Sequence, residues 1–310
     1  MKLISIMTAC YNEEENIAEV YRRVKEIFAQ KLPMYSYEHV FIDNASTDRT
    51  VKILKEIAAR DRNVKIIVNS RNFGHIRSPF HGLLQCRGDA VISLVADFQD
   101  PPEMIIDLIK KWEAGYKIVV GVKKESREAR WMFAVRNLFY RIIGTLSEIE
   151  QVRGFTGFGL YDKKVIELLR QIDDPYPYFR GLIADIGFEV ARLEYVQPAR
   201  RQGRTKNNFY TLYDMAMLGI TNHSKVPLRL AAMLGFGTAI VSALFAFGYL
   251  VYKLIFWDSF SVGIAPLVIG LFFFSAVQLF FIGIIGEYIG AIHTQVLKRP
   301  LVIEKERVNF

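Results

Sequence analysis

The sequence is poor in the residues that cross-link small proteins. It has two cysteines among 310 residues, Cys10 and Cys86, and both lie in apolar runs. Two such thiols build no disulfide framework, and this usage is typical of a reducing compartment. His75 and His81 have no third ligand at metal-binding spacing. The sequence therefore favours neither a disulfide framework nor a zinc site.

Segments that mark several other protein classes are also missing. Neither G-x-G-x-x-G nor G-x-x-x-x-G-K-[ST] occurs, which argues against a dinucleotide cofactor and against a P-loop nucleotide hydrolase. The N-terminus lacks the long apolar core and the small-residue cleavage site of a secretory signal, and it reads instead as a short buried strand. We therefore expect the N-terminal domain to stay in the cytosol.

Positive charge is in excess, and its position restricts the function class. The formal net charge is +8, with basic residues concentrated just ahead of an apolar C-terminal region. A nucleic-acid-binding protein would carry such residues as a stripe with exposed aromatic side chains. Their position favours an anionic membrane surface or a phosphate-bearing substrate instead. We expect no nucleic-acid partner.

Two long uncharged segments lie in this apolar region. No charged residue occurs from Leu230 to Tyr252 or from Val262 to Gly286, and a short connector joins the segments. At about 1.5 Å per residue, the first segment spans roughly 34 Å as a helix, which is enough to cross the hydrocarbon core of a bilayer. The sequence predicts two transmembrane helices. The alternative is a buried hairpin of a soluble protein.

Charge asymmetry predicts the orientation of this helical pair. Positive charges flank its two outer ends: Lys225, Arg229, Lys298 and Arg299. Because positively charged flanks stay on the cytoplasmic side, we expect an integral protein of the cytoplasmic (inner) membrane with both termini in the cytosol. Gly286 and Gly290 form a G-x-x-x-G, a pattern typical of closely packed helices, and we consider a homo-oligomer formed through the membrane helices.

Ahead of these helices, short β-rich runs alternate with amphipathic stretches. This alternation predicts an α/β fold with a doubly wound, mostly parallel sheet, which binds ligands at the carboxyl ends of its strands. Polar residues follow four of the predicted strands: Asn12, Glu13, Asp43, Asn44, Arg71, Asn72, Asp97 and Gln99. We expect these residues to converge on one edge of the sheet.

Seven motifs occur in order along the chain: TACYNEEENI, FIDNASTDRT, SRNFGH, ADFQDPPE, GFGLYDKKVI, YFRGLIADIGF and RRQGRTK. With the paired apolar helices, they resemble the family-2 glycosyltransferases with a GT-A fold, in particular polyprenyl-phosphate glycosyltransferases such as bactoprenol glucosyltransferases and dolichol-phosphate mannose synthases. The similarity covers nearly the whole chain. It implies a nucleotide-diphosphate sugar donor, a Mg²⁺ or Mn²⁺ ion, a polyprenyl phosphate acceptor, and inversion at the anomeric carbon.

The resemblance also implies roles for individual residues. Asp97 and Gln99 would hold the metal ion and carry the catalytic function. The donor would contact residues from four motifs: Tyr11, Asn12, Glu13, Asp43, Arg71 and Asp97. The acceptor phosphate would bind basic and hydroxyl residues ahead of the membrane segments: Arg127, Arg136, Arg200, Thr205 and Lys206.

Each of these roles has a structural alternative. Asp97 could be a solvated turn residue, and Asp43 could hold the turn before the next helix. The basic cluster could attract lipid head groups without binding one phosphate specifically. Asp100 heads Asp-Pro-Pro-Glu, which is the pattern of a helix N-cap, and we interpret it as structural.

The chain departs from the family at three positions. Val95 stands where relatives often have another Asp, and Gly157 and Gly159 stand where relatives commonly have the Asp and Arg of G-D-F-R-L. Gly157 supplies no general base. A phosphate monoester has its second pKa at about 6, so the acceptor is already largely dianionic at neutral pH. If the lipid phosphate attacks directly, the loss of the Asp is tolerable; if a carboxylate is essential, either another residue substitutes or the chain is inactive.

Four regions follow from these features. They are a GT-A glycosyltransferase domain at 1–207, an interfacial amphipathic helix at 208–227, a transmembrane hairpin at 228–290, and a cytosolic tail at 291–310. The favoured function is transfer of a hexose, glucose from UDP-glucose, to undecaprenyl or another polyprenyl phosphate on the cytosolic leaflet. The alternatives are another donor such as GDP-mannose, and a catalytically silent membrane scaffold that binds nucleotide sugar or lipid.

Overall fold

The structure is a computed structural model that describes residues 1–123, 152, 154–198, 217–219, 221, 224–256 and 264–310. Most of the predicted amphipathic helix at 208–227 lies outside these residues. The same holds for all five predicted acceptor-phosphate residues: Arg127, Arg136, Arg200, Thr205 and Lys206. Their roles stay predictions.

Strands and helices alternate through the first half of the described chain. The strands are β1 (Leu3–Cys10), β2 (Ser36–Asp43), β3 (Val64–Asn69), β4 (Ala90–Val95), β5 (Ile118–Lys123), β6 (Phe155–Asp162), β7 (Val190–Tyr195) and β8 (Glu304–Val308). The helices are α1 (Ile17–Lys31), α2 (Thr50–Arg60), α3 (Gly74–Gln85), α4 (Ile105–Glu113), α5 (Lys163–Gln171), α6 (Phe179–Asp185), α7 (Val226–Ile255) and α8 (Ile264–Leu297).

The described strands form one sheet in the order β7-β5-β6-β4-β1-β2-β3-β8. Pairing is parallel between β1 and β2, β1 and β4, β2 and β3, and β5 and β7. It is antiparallel where β6 joins β4 and β5, and where β8 joins β3. The GT-A-like α/β fold is therefore confirmed, with a mixed sheet whose parallel half matches the predicted strands.

Helices cover both faces of this sheet, as the alternating side chains of the strands require. On one face α1 and α4 pack on Ile4 and Ile6 of β1, and α2 packs on Phe41 of β2. On the other face, α3, α5 and α6 pack on the alternate residues of the same strands, which include Met7 of β1 and Ile42 of β2. Two apolar layers thus enclose the sheet, which leaves its carboxyl edge as the place for polar function.

The C-terminal residues form an edge strand that the sequence analysis missed. The division by sequence placed 291–310 in a tail, whereas β8 pairs antiparallel with β3, with Ile66 opposite Val308. Lys55 bonds Glu306 at 2.7 Å, and His81 bonds Glu304 at 2.5 Å. Strand pairing, the ion pair with Lys55 and the hydrogen bond with His81 hold this polar segment, so it needs no apolar pattern of its own.

The two C-terminal helices expose their apolar side chains. Phe236, Phe245 and Phe272 are 72%, 77% and 70% exposed. This exposure contradicts the alternative of a buried hairpin, because a helix in a soluble core buries its apolar face. Among the described side chains, one stretch, Gly270–Leu297, is long and apolar enough to span a membrane, with 28 residues at a mean hydropathy of 1.8. Val226–Ser242 is shorter, and the predicted transmembrane pair stays a prediction.

One buried histidine makes the fold sensitive to pH. His39 of β2 is fully buried, its Nε2 lies 3.0 Å from the Thr8 hydroxyl, and its Nδ1 has no hydrogen-bond partner. Burial lowers the pKa of His39 from 6.5 to about 3, and the positive effect of Asp61 on the pKa is smaller. The folded protein therefore keeps this ring neutral where the unfolded chain protonates it.

His39→Gln tests this linkage. Since the folded pKa is depressed, the unfolded chain binds more protons between pH 6.5 and 3, so the contribution of His39 to stability falls as the pH falls through that window. Between pH 6.5 and pH 5 the loss is about 2 kcal/mol. Thermal unfolding of both proteins in detergent should show a smaller loss of stability for His39→Gln over this range. Parallel pH profiles would contradict the assignment.

Candidate active site

The strand registers bring the predicted site residues to one edge of the sheet. Cys10 at the end of β1 pairs with Asp43 at the end of β2, and Ala9 pairs with Val95 at the end of β4. The segments that follow these strands therefore leave the sheet side by side. Asp43 also pairs with Val68 near the end of β3, which brings the segment containing Arg71 to the same edge.

A cavity of about 370 Å³ opens beside the ends of β1 and β4. Its floor includes the apolar side chains of Met7 and Leu94, and α3 and α6 contribute to its walls. Its polar lining residues are His75, Ser93, Asp97, Gln99, Asp100, Thr156, Tyr178, Arg180 and Gln197. Apolar walls with a few convergent polar groups are typical of a small-molecule site.

Asp97 and Gln99 lie together in a tight turn after β4. The Gln99 backbone N–H donates to Asp97 Oδ1 at 3.1 Å. Between them, Phe98 has a φ of 62° and is 5% exposed, packed in the core below. A left-handed backbone conformation is unfavourable for a bulky residue such as phenylalanine and persists only where the surrounding structure holds it. Burial of the Phe98 side chain therefore fixes the conformation of the turn. Asp97 and Gln99 therefore reach the cavity in a defined geometry.

This pair of oxygen-bearing side chains fits a divalent metal ion that also binds substrate. Among the described residues no group of three or more histidine, cysteine, aspartate or glutamate side chains is arranged to hold a metal. Mg²⁺ commonly takes one or two protein carboxylates and completes its coordination with phosphates and water. Asp97 and Gln99 match that limited set, with a substrate diphosphate supplying further oxygens.

Asp100 lies in the same cavity but does not cap a helix. The short 3₁₀ turn Pro102–Met104 begins after Pro101 without a side-chain cap, so the predicted N-cap role is wrong. Instead the Tyr195 hydroxyl donates to Asp100 Oδ1 at 2.7 Å, because the carboxylate turns toward the end of β7. Burial, with a smaller effect of Asp97, raises the pKa of Asp100 to about 6. This bond joins β7 to the turn that carries Asp97.

Asn12 and Glu13 join the segment after β1 to the segment after β2. Asn12 Oδ1 accepts from the Thr47 backbone N–H at 2.8 Å, and the Thr50 hydroxyl accepts from the Glu13 backbone N–H at 2.9 Å. Asn12 is exposed and has a φ of 55°. Tyr11 is half-buried beside it. These contacts shape the predicted donor-binding edge, although none of these residues lines the cavity beside Asp97.

Asp43 and Arg71 have different environments at this edge. Asp43 is fully buried, and its Oδ1 accepts from the Ser46 backbone N–H at 2.9 Å. Burial raises the pKa of Asp43. This geometry matches the turn-forming alternative, and a donor contact by Asp43 stays a prediction. Arg71 is exposed and stacks on the Phe73 ring at 4.0 Å, which leaves its guanidinium at the surface of the edge.

Comparison with known proteins decides the family. The profile of Glycosyl transferase family 2 matches residues 5–169, which include β1 to β6 and the turn that carries Asp97. The chain belongs to glycosyl transferase family 2. This confirms the family that the ordered motifs indicated.

Relatives in this family are similar along nearly their whole length. The uncharacterized glycosyltransferase YkcC of Bacillus subtilis is 37% identical over 300 residues, which cover 96% of this chain and 92% of that protein. The SfII prophage-derived bactoprenol glucosyl transferase of Shigella flexneri is 33% identical over 304 residues, covering 98% and 97%. The prophage bactoprenol glucosyl transferase homolog of Escherichia coli is 32% identical over 303 residues, covering 97% and 98%.

Gly157 and Gly159, the two glycines at which the motif resemblance implied a departure from the family, have different constraints. Gly157 has a φ of 105°, and a Cβ there would meet only Phe179, at 4.0 Å. Its carbonyl accepts from the buried Tyr161 hydroxyl at 2.9 Å. A Cβ at Gly159 would lie 2.5 Å from the Val119 carbonyl oxygen of the paired strand β5. Gly157 thus opens space at the cavity, whereas Gly159 permits close strand packing.

A matched pair of substitutions tests this distinction. Gly159→Ala should lower the free energy of unfolding by more than about 2 kcal/mol, because the methyl group forces two paired backbones apart. Gly157→Ala should lower the free energy of unfolding by about 1 kcal/mol, because alanine is strained at this positive φ but its methyl group clashes with no neighbour. Thermal unfolding of both variants beside the wild type measures the order of the two effects. A larger loss for Gly157→Ala would contradict the packing argument.

Proposed function

We propose that the protein transfers glucose from UDP-glucose to undecaprenyl phosphate, or to another polyprenyl phosphate, with inversion at the anomeric carbon. Two relatives that cover nearly the whole chain are named as bactoprenol glucosyl transferases or their homologs, which supports the acceptor class and the sugar. The observation that carries the proposal is the joint placement of Asp97 and Gln99 in a cavity at the carboxyl edge of the sheet.

The donor diphosphate would lie beside the turn Asp97–Gln99. These two residues would hold Mg²⁺ or Mn²⁺, which when bound neutralises the charge that develops on the leaving diphosphate. The nucleoside would extend along the neighbouring edge, where Tyr11, Asn12 and Arg71 lie. This arrangement leaves the apolar cavity for the sugar and for the reacting end of the acceptor.

The acceptor explains why Gly157 needs no carboxylate. A lipid phosphate presents an oxygen that is already ionised near neutral pH, so attack on the anomeric carbon requires no proton removal by the protein. The oxygen forms its bond on the face opposite the leaving UDP, which inverts the configuration. The protein's task is to place two anionic substrates against each other. Arg127, Arg136, Arg200, Thr205 and Lys206 are proposed to contact the acceptor phosphate.

Sheet topology supports a membrane hairpin that returns to its starting side. The strands β1 to β7 precede the two apolar helices and β8 follows them, yet all belong to one sheet. A folded domain lies on one side of a bilayer, so the chain between β7 and β8 crosses an even number of times or not at all. If Gly270–Leu297 crosses, α7 is the natural second crossing. We place both termini in the cytosol, where nucleotide sugars are made available to the site.

A donor screen tests the function. Purified full-length protein in detergent, with Mn²⁺ or Mg²⁺ and undecaprenyl phosphate, should form glucosyl-phospholipid from UDP-glucose and less product from UDP-N-acetylglucosamine or GDP-mannose. Mass spectrometry of the extracted lipid identifies the sugar. If the protein uses another donor in preference to UDP-glucose, the sugar of that donor is the one transferred, and glucose is the wrong assignment. No lipid-linked sugar from any donor would favour a silent scaffold.

Asp97→Asn tests the metal assignment. Loss of the carboxylate charge should lower metal-dependent transfer by at least about 100-fold, because the neutral amide is a weaker ligand for a hard divalent cation. Asp107→Asn is a matched control, since Asp107 is exposed on α4 and pairs with Lys110 away from the cavity. Initial rates at saturating donor compare the proteins. Near-normal transfer by a folded Asp97→Asn variant would remove the assignment.

A further inference from the structure

Arg180 gives the cavity a cationic side chain; it lies in the motif YFRGLIADIGF, but no role was predicted for it from the sequence. It follows Phe179 at the start of α6 and lines the same cavity as Asp97 and Gln99. Among the described residues that line this cavity, Arg180 is the one lysine or arginine. Thus the described part of the cavity has two carboxylates, a histidine and a single guanidinium.

The backbone of Arg180 is fixed by its aromatic neighbour. The Phe179 ring packs edge-on against Tyr161 at 5.2 Å and against Phe80 at 6.1 Å between centroids, and both of these residues are buried. The Gly181 backbone N–H also bonds the Tyr178 carbonyl at 2.9 Å. The side chain of Arg180 therefore starts from a fixed backbone position, as a side chain that binds a ligand requires.

The charge of Arg180 is not neutralised within the described structure. Its guanidinium is half-buried and forms no ion pair or hydrogen bond with any described residue. Arg180 lies close enough to His75 to lower the pKa of that imidazole. Desolvation, with a smaller effect of Arg180, lowers the pKa of His75, so this imidazole carries no positive charge at neutral pH.

An uncompensated guanidinium beside a neutral imidazole suits a phosphate group. Arginine binds phosphate through two parallel N–H donors, and such charge-assisted bonds are stronger than neutral ones. We propose that Arg180, with His75 beside it, binds a substrate phosphate in this cavity. This inference rests on the proposed function, which brings two phosphate-bearing substrates to the metal-binding turn. The shared ligand chemistry is a phosphate oxygen, either of the polyprenyl phosphate or of the donor diphosphate.

Steady-state kinetics of full-length Arg180→Gln with each substrate varied separately test the proposal. A rise of about tenfold or more in the KM for one substrate is expected, since one charge-assisted contact is lost. A rise confined to polyprenyl phosphate assigns the contact to the acceptor, and a rise confined to UDP-glucose assigns it to the donor. Arg180→Lys should give an intermediate value, because lysine keeps the charge but loses the paired donors.

Arg192→Gln is the matched control, because Arg192 is exposed on β7 and does not line the cavity. Both KM values for Arg180→Gln within twofold of wild type, or a fall in kcat alone, would overturn the proposal. Thermal unfolding establishes whether the variants are folded. If Arg180→Gln is not folded, the KM values of Arg180→Lys are compared with those of the wild type, and values within twofold for both substrates would overturn the proposal.

Equilibrium binding separates this inference from the proposed function. If the wild type transfers no sugar, the affinities of wild type and Arg180→Gln for UDP with Mn²⁺ and for undecaprenyl phosphate are compared in detergent. Weaker binding of either ligand by the variant supports the phosphate contact even though the transfer reaction fails. Equal binding of both ligands, or no binding of either by the wild type, would overturn it.

Discussion

The site depends on the parallel pairing of β1 with both β2 and β4. Because Cys10 lies opposite Asp43 and Ala9 lies opposite Val95, the segments after these strands emerge together at one edge. If the pairing register of one of these strands shifted by one residue, each of its side chains would move to the opposite face of the sheet. Its apolar side chains would then no longer pack against the helices that cover them. The same registers that bury Ile6 and Ile42 therefore bring the turn that carries Asp97 beside the edge that carries Asn12 and Asp43.

Much of this arrangement could be predicted from the sequence. The parallel strands appear as short apolar runs, and the polar residues of the site come directly after these runs. The turn at Asp97 and the edge residues at Asn12 and Arg71 were found in that way. β8 escaped notice because its sequence, EKERV, is almost entirely charged. It is held by backbone pairing to β3 and by ion pairs, neither of which leaves an apolar pattern.

Tertiary contacts explain the other misses. Asp100 heads a good capping pattern, yet its carboxylate bonds Tyr195, which is 95 residues away along the chain. Arg180 lies in the motif YFRGLIADIGF, but nothing in the spacing of that motif indicates a phosphate site. Its position follows from the packing of Phe179 on α3 and β6. By its resemblance to the family motif, Gly159 stands where an arginine is common, whereas the Val119 carbonyl oxygen leaves no space for a side chain there. In each case the deciding partner comes from a distant strand or helix.

These features join into one account. A family-2 glycosyltransferase domain has two apolar helices inserted between β7 and β8, and the turn Asp97–Gln99 at its carboxyl edge is proposed to hold a metal ion. A structure of the full chain with UDP and Mn²⁺ tests that account most directly. It should show the ion about 2.1 Å from oxygens of Asp97 and Gln99, with the diphosphate in the cavity and the uridine along the edge near Asn12. A nucleotide bound elsewhere, or an ion held without Asp97, would contradict it.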